Sequence, residues 1–214
     1  MFSRWIQNHL GFSTRRSRIQ RSKCDWLESR TLLAGSLYSL SDTFKLHSDP
    51  TATKTIYLDF NGQTVTGTLW NSQDNNGQPF TLSAFNFEGD SSTFTGNELD
   101  RIQRIWARVA EDFAPFDVDV TTEEPPTGDL VNSGGTDDRW GIRVIVGSTF
   151  APEADRGGVT FLGSFNWASD TPSLVFPDNL NMDDEKTTAE AISHEVGHSL
   201  GLSHDGSITP AQEY

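Results

Sequence analysis

The residues most able to do chemistry are three histidines near the end of the printed sequence. His194, His198 and His204 fall within eleven residues, and the chain has five histidines in all. On a helix, His194 and His198 share a face because residues four apart are neighbours, so both rings can reach one zinc ion at about 2.0–2.1 Å. Glu195 projects beside the same position, where a carboxylate can polarise a bound water and accept its proton. The spacing therefore predicts a zinc site with an adjacent base.

The residues after this pair supply a third ligand. Gly201 lacks a β-carbon and can adopt the left-handed conformation that ends a helix, which gives His204 a route back to the metal. Three nitrogen ligands leave a fourth position open for water, as in catalytic rather than structural zinc sites. A histidine pair alone can equally be two surface side chains. The spacing of Glu195, Gly201 and His204 relative to this pair favours a zinc site. Asp205 can orient a ligand or, before Gly206, form a turn.

Two helices are predicted, and one of them carries the histidines. Thr187 and Glu190 form a capping box that starts a helix over 187–201, and its buried stripe consists of Ile192, Val196 and Leu200. A second helix over 97–113 has its own capping box and apolar residues at intervals of three and four. That periodicity is typical of a helix that packs against a sheet.

Short strand patterns occupy much of the remaining chain. They lie at 55–60, 64–70, 118–122, 140–146, 157–162 and 173–176, and the turn Asn61-Gly62 joins the first two as a hairpin. Strands and helices together predict an α+β fold in one domain over 51–214. Residues 1–50 are basic, then rich in serine, and lack periodicity, so we expect a disordered leader and linker there.

The charge of the chain excludes one class of partner. Residues 1–35 carry a net charge of +5, whereas the rest carries −19, within a total of −14. So acidic a body is repelled by phosphate backbones, which argues against nucleic-acid binding. The acidic residues make bound calcium possible, although a solvated acidic surface needs no ligand. The sequence has no run of about 18 apolar residues that would predict a transmembrane helix.

The complete histidine motif resembles a known signature. His194-Glu195-x-x-His198-x-x-Gly201-x-x-His204 is similar to the extended zinc motif of the metzincin metallopeptidases. Asp205 is similar to the aspartate that follows this motif in the adamalysin (reprolysin) branch, and the chain also looks like bacterial secreted, matrixin-like members. Looser likeness extends over roughly 52–206, in the stretches 56–60, 107–113, 116–121 and 158–161.

The resemblance implies a fold, a reaction and a partner. The fold would be the zincin-like upper subdomain, a twisted mixed sheet of about five strands with a backing helix and an active-site helix. The edge strand, Gly158, Val159, Thr160 and Phe161, would bind an extended peptide or protein substrate by strand addition. The cofactor would be zinc, held by His194, His198 and His204. The reaction would be peptide-bond hydrolysis with Glu195 as general base.

One feature of the resembling family is missing from the sequence. Metzincins continue past the third histidine into a small subdomain with a methionine-containing turn below the metal. The methionines here are Met1 and Met182, both before His204. The catalytic domain over 51–214 is therefore expected to be incomplete at its C-terminus, and its activity as a fragment is open. The alternative function is a non-catalytic zinc-binding surface or adhesion module on the same scaffold.

The basic leader adds two expectations. The stretch 15–34, with its Leu-Glu-x-Arg-x-Leu-Leu, resembles the leader of certain large bacterial surface and secreted proteins, which indicates a secreted or cell-surface protein. Cys24 lies beside Lys23, and neighbouring positive charge lowers the pKa of a thiol. A thiolate there could occupy the open metal position and keep a zymogen latent, as in some metzincin propeptides, although Ser22-Lys23-Cys24-Asp25 does not match the known latency motif and the cysteine can equally be incidental.

Overall fold

A mixed five-stranded sheet lies at the centre of the part of the chain that the structure, a computed structural model, describes: residues 36–88, 93–153, 155–180 and 184–204. The sheet consists of β1 (Lys54–Asp59), β4 (Asp119–Thr121), β5 (Trp140–Val146), β6 (Gly158–Val159) and β7 (Ser173–Val175). Its strand order is β4-β1-β5-β7-β6. The first four strands in this order run parallel, and β6 is antiparallel to β7 at the edge. The predicted α+β class with a mixed sheet is confirmed.

The central strand β5 is buried along almost its whole length. Residues 141–146 are all buried, because the sheet is covered on both faces, as parallel sheets generally are. This explains why the sequence of β5 is a nearly continuous apolar run and not an alternating one. The same holds for β1, where residues 55–59 are buried.

Two long helices cover one face of the sheet. Helix α2 (Gly96–Phe113) begins at Thr95, whose side chain accepts a hydrogen bond from the Glu98 amide while the Glu98 carboxylate accepts one from the Thr95 amide. The predicted capping box is therefore present. Helix α3 (Glu185–Ser199) packs against α2 and against β5, β6 and β7. Both helices contribute buried residues to the main hydrophobic core, including Ile102, Trp106, Val109, Ile192 and Val196.

Helix α3 differs from its prediction at both ends. It begins two residues earlier than predicted, and its N-cap is Asp184, whose carboxylate accepts hydrogen bonds from the Lys186 amide and the Thr187 hydroxyl. The predicted capping box at Thr187 is wrong, because Asp184 lies three residues earlier in the sequence and caps the first turn instead. Leu200 is 50% exposed and does not continue the buried stripe, since the helix ends at Ser199.

The opposite face is covered by a small layer that the sequence did not predict. β2 (Gln63–Val65) pairs with β3 (Phe80–Leu82) and forms a separate two-stranded sheet, so the hairpin predicted between 55–60 and 64–70 was wrong. Between these strands lies α1 (Leu69–Asp74). Thr68 and Asn71 cap this helix, and the buried Trp70 donates a hydrogen bond to the Pro172 carbonyl. The last residues of the strand predicted over 64–70 therefore lie in a helix, and the buried Trp70 anchors this helix.

The segment before β1 differs from the disordered linker expected for residues 1–50. Leu40–Lys45 form a 3₁₀ helix, and Thr43 and Leu46 are buried. His47 lies in a β-bridge opposite Thr121. The sequence lacked periodicity here because this segment is held by single side chains and not by a regular stripe. Cys24, Met1, Met182 and Asp205 lie outside the described residues.

No helix among the described residues is long and apolar enough to cross a membrane.

Candidate metal centre

The three predicted ligands meet beside the C-terminal part of α3, which carries His194 and His198. The Nε2 atoms of His194 and His198 are 2.9 Å apart, and each lies 3.0 Å from Nε2 of His204. Each ring offers the same nitrogen to the centre of a nearly equilateral triangle. Among the described residues, this is the group of histidine, cysteine, aspartate or glutamate side chains that could hold a metal ion.

A backbone contact orients the middle ring. Nδ1 of His198 lies 2.6 Å from the carbonyl oxygen of Leu202. A carbonyl only accepts hydrogen bonds, so Nδ1 must carry the proton and Nε2 must present its lone pair to the other two rings. This is the arrangement that metal-binding histidines generally have, with the second ring nitrogen held by an acceptor.

The end of α3 brings His204 back to the helix. Gly201 has a φ of +96°, its amide donates to the His198 carbonyl at 2.8 Å, and the Leu202 amide donates to the Gly197 carbonyl at 3.0 Å. These two bonds form a Schellman motif, which ends a helix with a left-handed residue. The reversal predicted at Gly201 is thus present, and the same turn supplies the Leu202 carbonyl that holds His198.

Glu195 lies beside the triangle and is almost enclosed, with 6% of its surface exposed. Burial raises the pKa of its carboxyl to about 7, a shift that the positive charge of Arg156 partly opposes. The edge strand covers this carboxyl closely: a β-carbon on Gly158 would lie 2.8 Å from both Cγ and Oε1 of Glu195. Only a glycine leaves room for the carboxyl at that position.

The histidines and the edge strand line one open cavity of about 500 Å³. Of the four residues predicted to bind substrate, Gly158, Val159 and Thr160 contribute to its wall. Phe161 does not, because its ring centroid lies 4.2 Å from that of Trp70. Phe161 packs there against a second hydrophobic cluster, on the face of the sheet opposite to α2 and α3, that includes Trp70 and Leu174. The regular strand is also shorter than the predicted one and covers Gly158–Val159.

The sequence reading missed Arg156, which also lines the cavity. It stands two residues before Gly158, outside the strand that begins there. No local sequence signal pointed to it. The reading also missed Gly163, whose amide donates to the His198 carbonyl at 3.0 Å and ties the loop after β6 to the end of α3.

The donor set suits zinc better than calcium. Ligands of a tetrahedral zinc at 2.0–2.1 Å lie about 3.3 Å from one another, and the three Nε2 atoms are spaced at nearly that distance. Calcium takes six to eight oxygen ligands, whereas this group is made of nitrogens alone. Three histidines beside a cavity also leave room for a further ligand.

Comparison with protein-family models, with curated proteins and with solved structures gave no match. The functional assignment accordingly rests on the residues and their geometry.

Proposed function

We propose that the protein is a zinc-dependent endopeptidase of the metzincin type, acting outside the cell. The observation that carries this proposal is the juxtaposition of three histidine Nε2 atoms within 3.0 Å of one another and the buried carboxyl of Glu195 in the same cavity wall. The antiparallel edge strand β6 lies next to both. The five-stranded mixed sheet is compatible with the zincin-like upper subdomain that the motif implies.

The residues of the chain have distinct roles in this proposal. His194, His198 and His204 hold the metal, which when bound activates water and polarises a carbonyl oxygen. Glu195 accepts the proton of the attacking water and delivers it to the departing amine. Its shielding by Gly158 keeps bulk water away from the carboxyl. The unpaired side of β6 offers backbone donors and acceptors to an extended peptide.

The alternative is a zinc-binding surface or adhesion module without catalysis. A structural zinc site has no use for a carboxyl group held beside the ion, and burying such a group without a hydrogen-bond partner costs free energy. Among the described residues, the structure gives Glu195 no hydrogen-bond partner for its carboxyl oxygens. This favours a reactive role over a structural one.

The test is cleavage of casein by the zinc-loaded chain of 214 residues. We expect release of peptides that a chelator abolishes and zinc restores. Glu195→Gln should bind one zinc ion yet release no peptides. Glu190→Gln is the matched control, since this glutamate lies on the same helix, is exposed and pairs with Lys186, and it should cleave as the wild type does.

Three outcomes bear on the candidate functions. A chain that binds no zinc would contradict both candidate functions. A chain that binds one zinc ion at the three histidines but cleaves neither casein nor gelatin would fit an incomplete catalytic domain as well as the adhesion module. A chain extended beyond residue 214 that binds zinc and still cleaves no peptide would favour the module.

A further inference from the structure

Arg156 occupies a distinctive place in the wall of the cavity. It precedes the edge strand and lies on the same side as Gly158, the residue that faces Glu195. Its backbone is fixed, because the Asn179 side-chain amide donates to the Arg156 carbonyl at 2.7 Å and the Phe176 amide donates to the neighbouring Gly157 carbonyl at 2.8 Å. The arginine is therefore positioned at the end of the strand along which a peptide would lie.

The guanidinium of Arg156 has free capacity for an anion. Its side chain is 64% exposed, and its recorded ion pair among the described residues joins Nε to Oε2 of Glu153 at 3.0 Å. A guanidinium has five N–H donors in a planar fork, and a carboxylate bound at Nε uses one of them. The remaining nitrogens can bind a second carboxylate.

Arg156 is also the one permanent cation among the described residues that line the cavity. The chain beyond residue 35 carries a net charge of −19, so its general field repels acidic peptides. That field is screened over a Debye length of about 8 Å at physiological ionic strength, whereas a direct contact is not. A local positive charge can thus select an acidic residue in spite of the acidic surface.

We propose that Arg156 is a specificity-determining residue that binds an acidic side chain of the peptide substrate. This inference rests on the proposed peptidase function and adds the class of substrate: peptides with an aspartate or glutamate near the cleaved bond. The alternative is that Arg156 only forms an ion pair with Glu153 and binds no part of a substrate. In that pair only the arginine is exposed, since the Glu153 side chain is 14% exposed, and the loss of a purely structural pair would not alter the choice of peptide.

Peptide binding tests this inference without requiring cleavage. The chain of 214 residues carrying Glu195→Gln is loaded with zinc, and its zinc content is measured. Two pools of fluorescein-labelled nine-residue peptides are then titrated at physiological ionic strength and followed by anisotropy. The pools share the same small and apolar residues, and each position in turn is Glu in one pool and Gln in the other. Arg156→Gln, Arg156→Lys and Glu153→Gln, each in the same background, complete the set.

The expected result is about two- to fivefold tighter binding of the Glu pool, as for one partly exposed charge pair. Arg156→Gln should abolish that preference, and Arg156→Lys should keep part of it. Glu153→Gln should preserve or increase it, because the arginine loses its competing partner. Equal affinity for both pools, or no binding of either, would overturn the inference. The zinc measurement separates this failure from failure of the metal site, which would appear as a chain without zinc.

Discussion

The carboxyl of Glu195 and the α-carbon of Gly158 lie so close that a β-carbon on the glycine would come within 2.8 Å of Oε1. A β-carbon essentially never comes this close to a non-bonded atom, so the Glu195 side chain would have to move. The glycine therefore belongs to the candidate site even though it has no side chain. It couples the edge strand to the proposed base.

Replacing Gly158 with alanine tests this coupling. The added methyl group should push the Glu195 carboxyl out of position, and a displacement of about 1 Å can reduce a rate by roughly 100-fold. We expect kcat/KM for casein-derived peptides to fall about 10- to 100-fold. Zinc content should stay at one ion per chain, because the three atoms nearest to the added β-carbon all belong to Glu195 and none to a histidine.

Gly197→Ala is the matched control for Gly158→Ala. Gly197 lies within α3 between the two ligands, and the nearest atom to its added β-carbon would be Cδ1 of Leu202 at 3.7 Å, an ordinary contact. Alanine is favoured over glycine inside a helix by about 0.5–1 kcal/mol. The variant should unfold at higher urea concentration and keep its activity. Equal losses in both variants would contradict the special role of Gly158.

Gly201 should control the affinity for zinc. Its φ of +96° is costly for residues with a β-carbon, by roughly 1–2 kcal/mol. In Gly201→Ala the turn should relax, move His204 away from the other ligands and weaken zinc binding about 5- to 30-fold. Asparagine tolerates left-handed conformations better, so Gly201→Asn should fall between alanine and the wild type. Titration against a chromophoric chelator measures the order, and identical affinities would refute the explanation.

The parts of the fold that the sequence predicted are those with local signals. The capping box at Thr95 and the apolar periodicity after it located α2, and the nearly continuous apolar run located β5. The helix pair His194 and His198 with the glycine turn located the candidate metal centre, because the geometry of the three histidines is set within eleven residues of sequence.

The parts that could not be predicted depend on contacts between distant residues. β2 pairs with β3 and not with β1, and Trp70 is buried against Pro172, 102 residues later. The N-terminal segment has no periodic pattern because His47 holds it through Asp119 and Glu123, more than 70 residues away. Arg156 was missed because its importance comes from the cavity that it lines.

His47 should make the stability of the fold depend on pH. Its Nδ1 lies 2.6 Å from Asp119 and its Nε2 lies 2.9 Å from Glu123. Burial lowers the pKa of His47, but the two carboxylates outweigh burial and raise the pKa above its usual 6.5. Because the pKa is raised on folding, the stabilisation is complete below pH 6.5 and is lost as the pH rises through the folded-state value.

The comparison with His47→Gln isolates this contribution. Urea unfolding of both proteins at pH 6 and pH 9 gives two differences in the free energy of unfolding. The wild type should exceed the variant by more at pH 6 than at pH 9. A difference that is constant with pH, or larger at pH 9, would show that the ion pairs of His47 do not operate as described.

Arg143 should be needed for folding stability. It lies on β5 with 6% of its side chain exposed and pairs with the equally buried Asp59 on β1 at 3.1 Å. Burial raises the pKa of Asp59, and Arg143 opposes that shift. Arg143→Met leaves a buried carboxylate without its partner, which typically costs about 3–5 kcal/mol. The cost should be smaller at pH 5 than at pH 8, because a carboxyl with a raised pKa protonates more readily and then carries no charge.

Two further variants test this explanation for Arg143. Arg139→Met removes an exposed ion pair with Asp129 and should cost less than about 1 kcal/mol. Adding Asp59→Asn to Arg143→Met should recover part of the lost stability, since the buried charge is then removed. If the double variant is less stable than Arg143→Met alone, the unpaired carboxylate is not the cause.

The metal content of the purified chain tests the central claim most directly. After incubation with zinc and dialysis, the wild type and His47→Ala should each retain one zinc ion per chain, whereas His204→Ala should lose most of it, because a third nitrogen ligand is gone. Equal zinc content in all three proteins, or none in the wild type, would contradict a metal centre built from His194, His198 and His204.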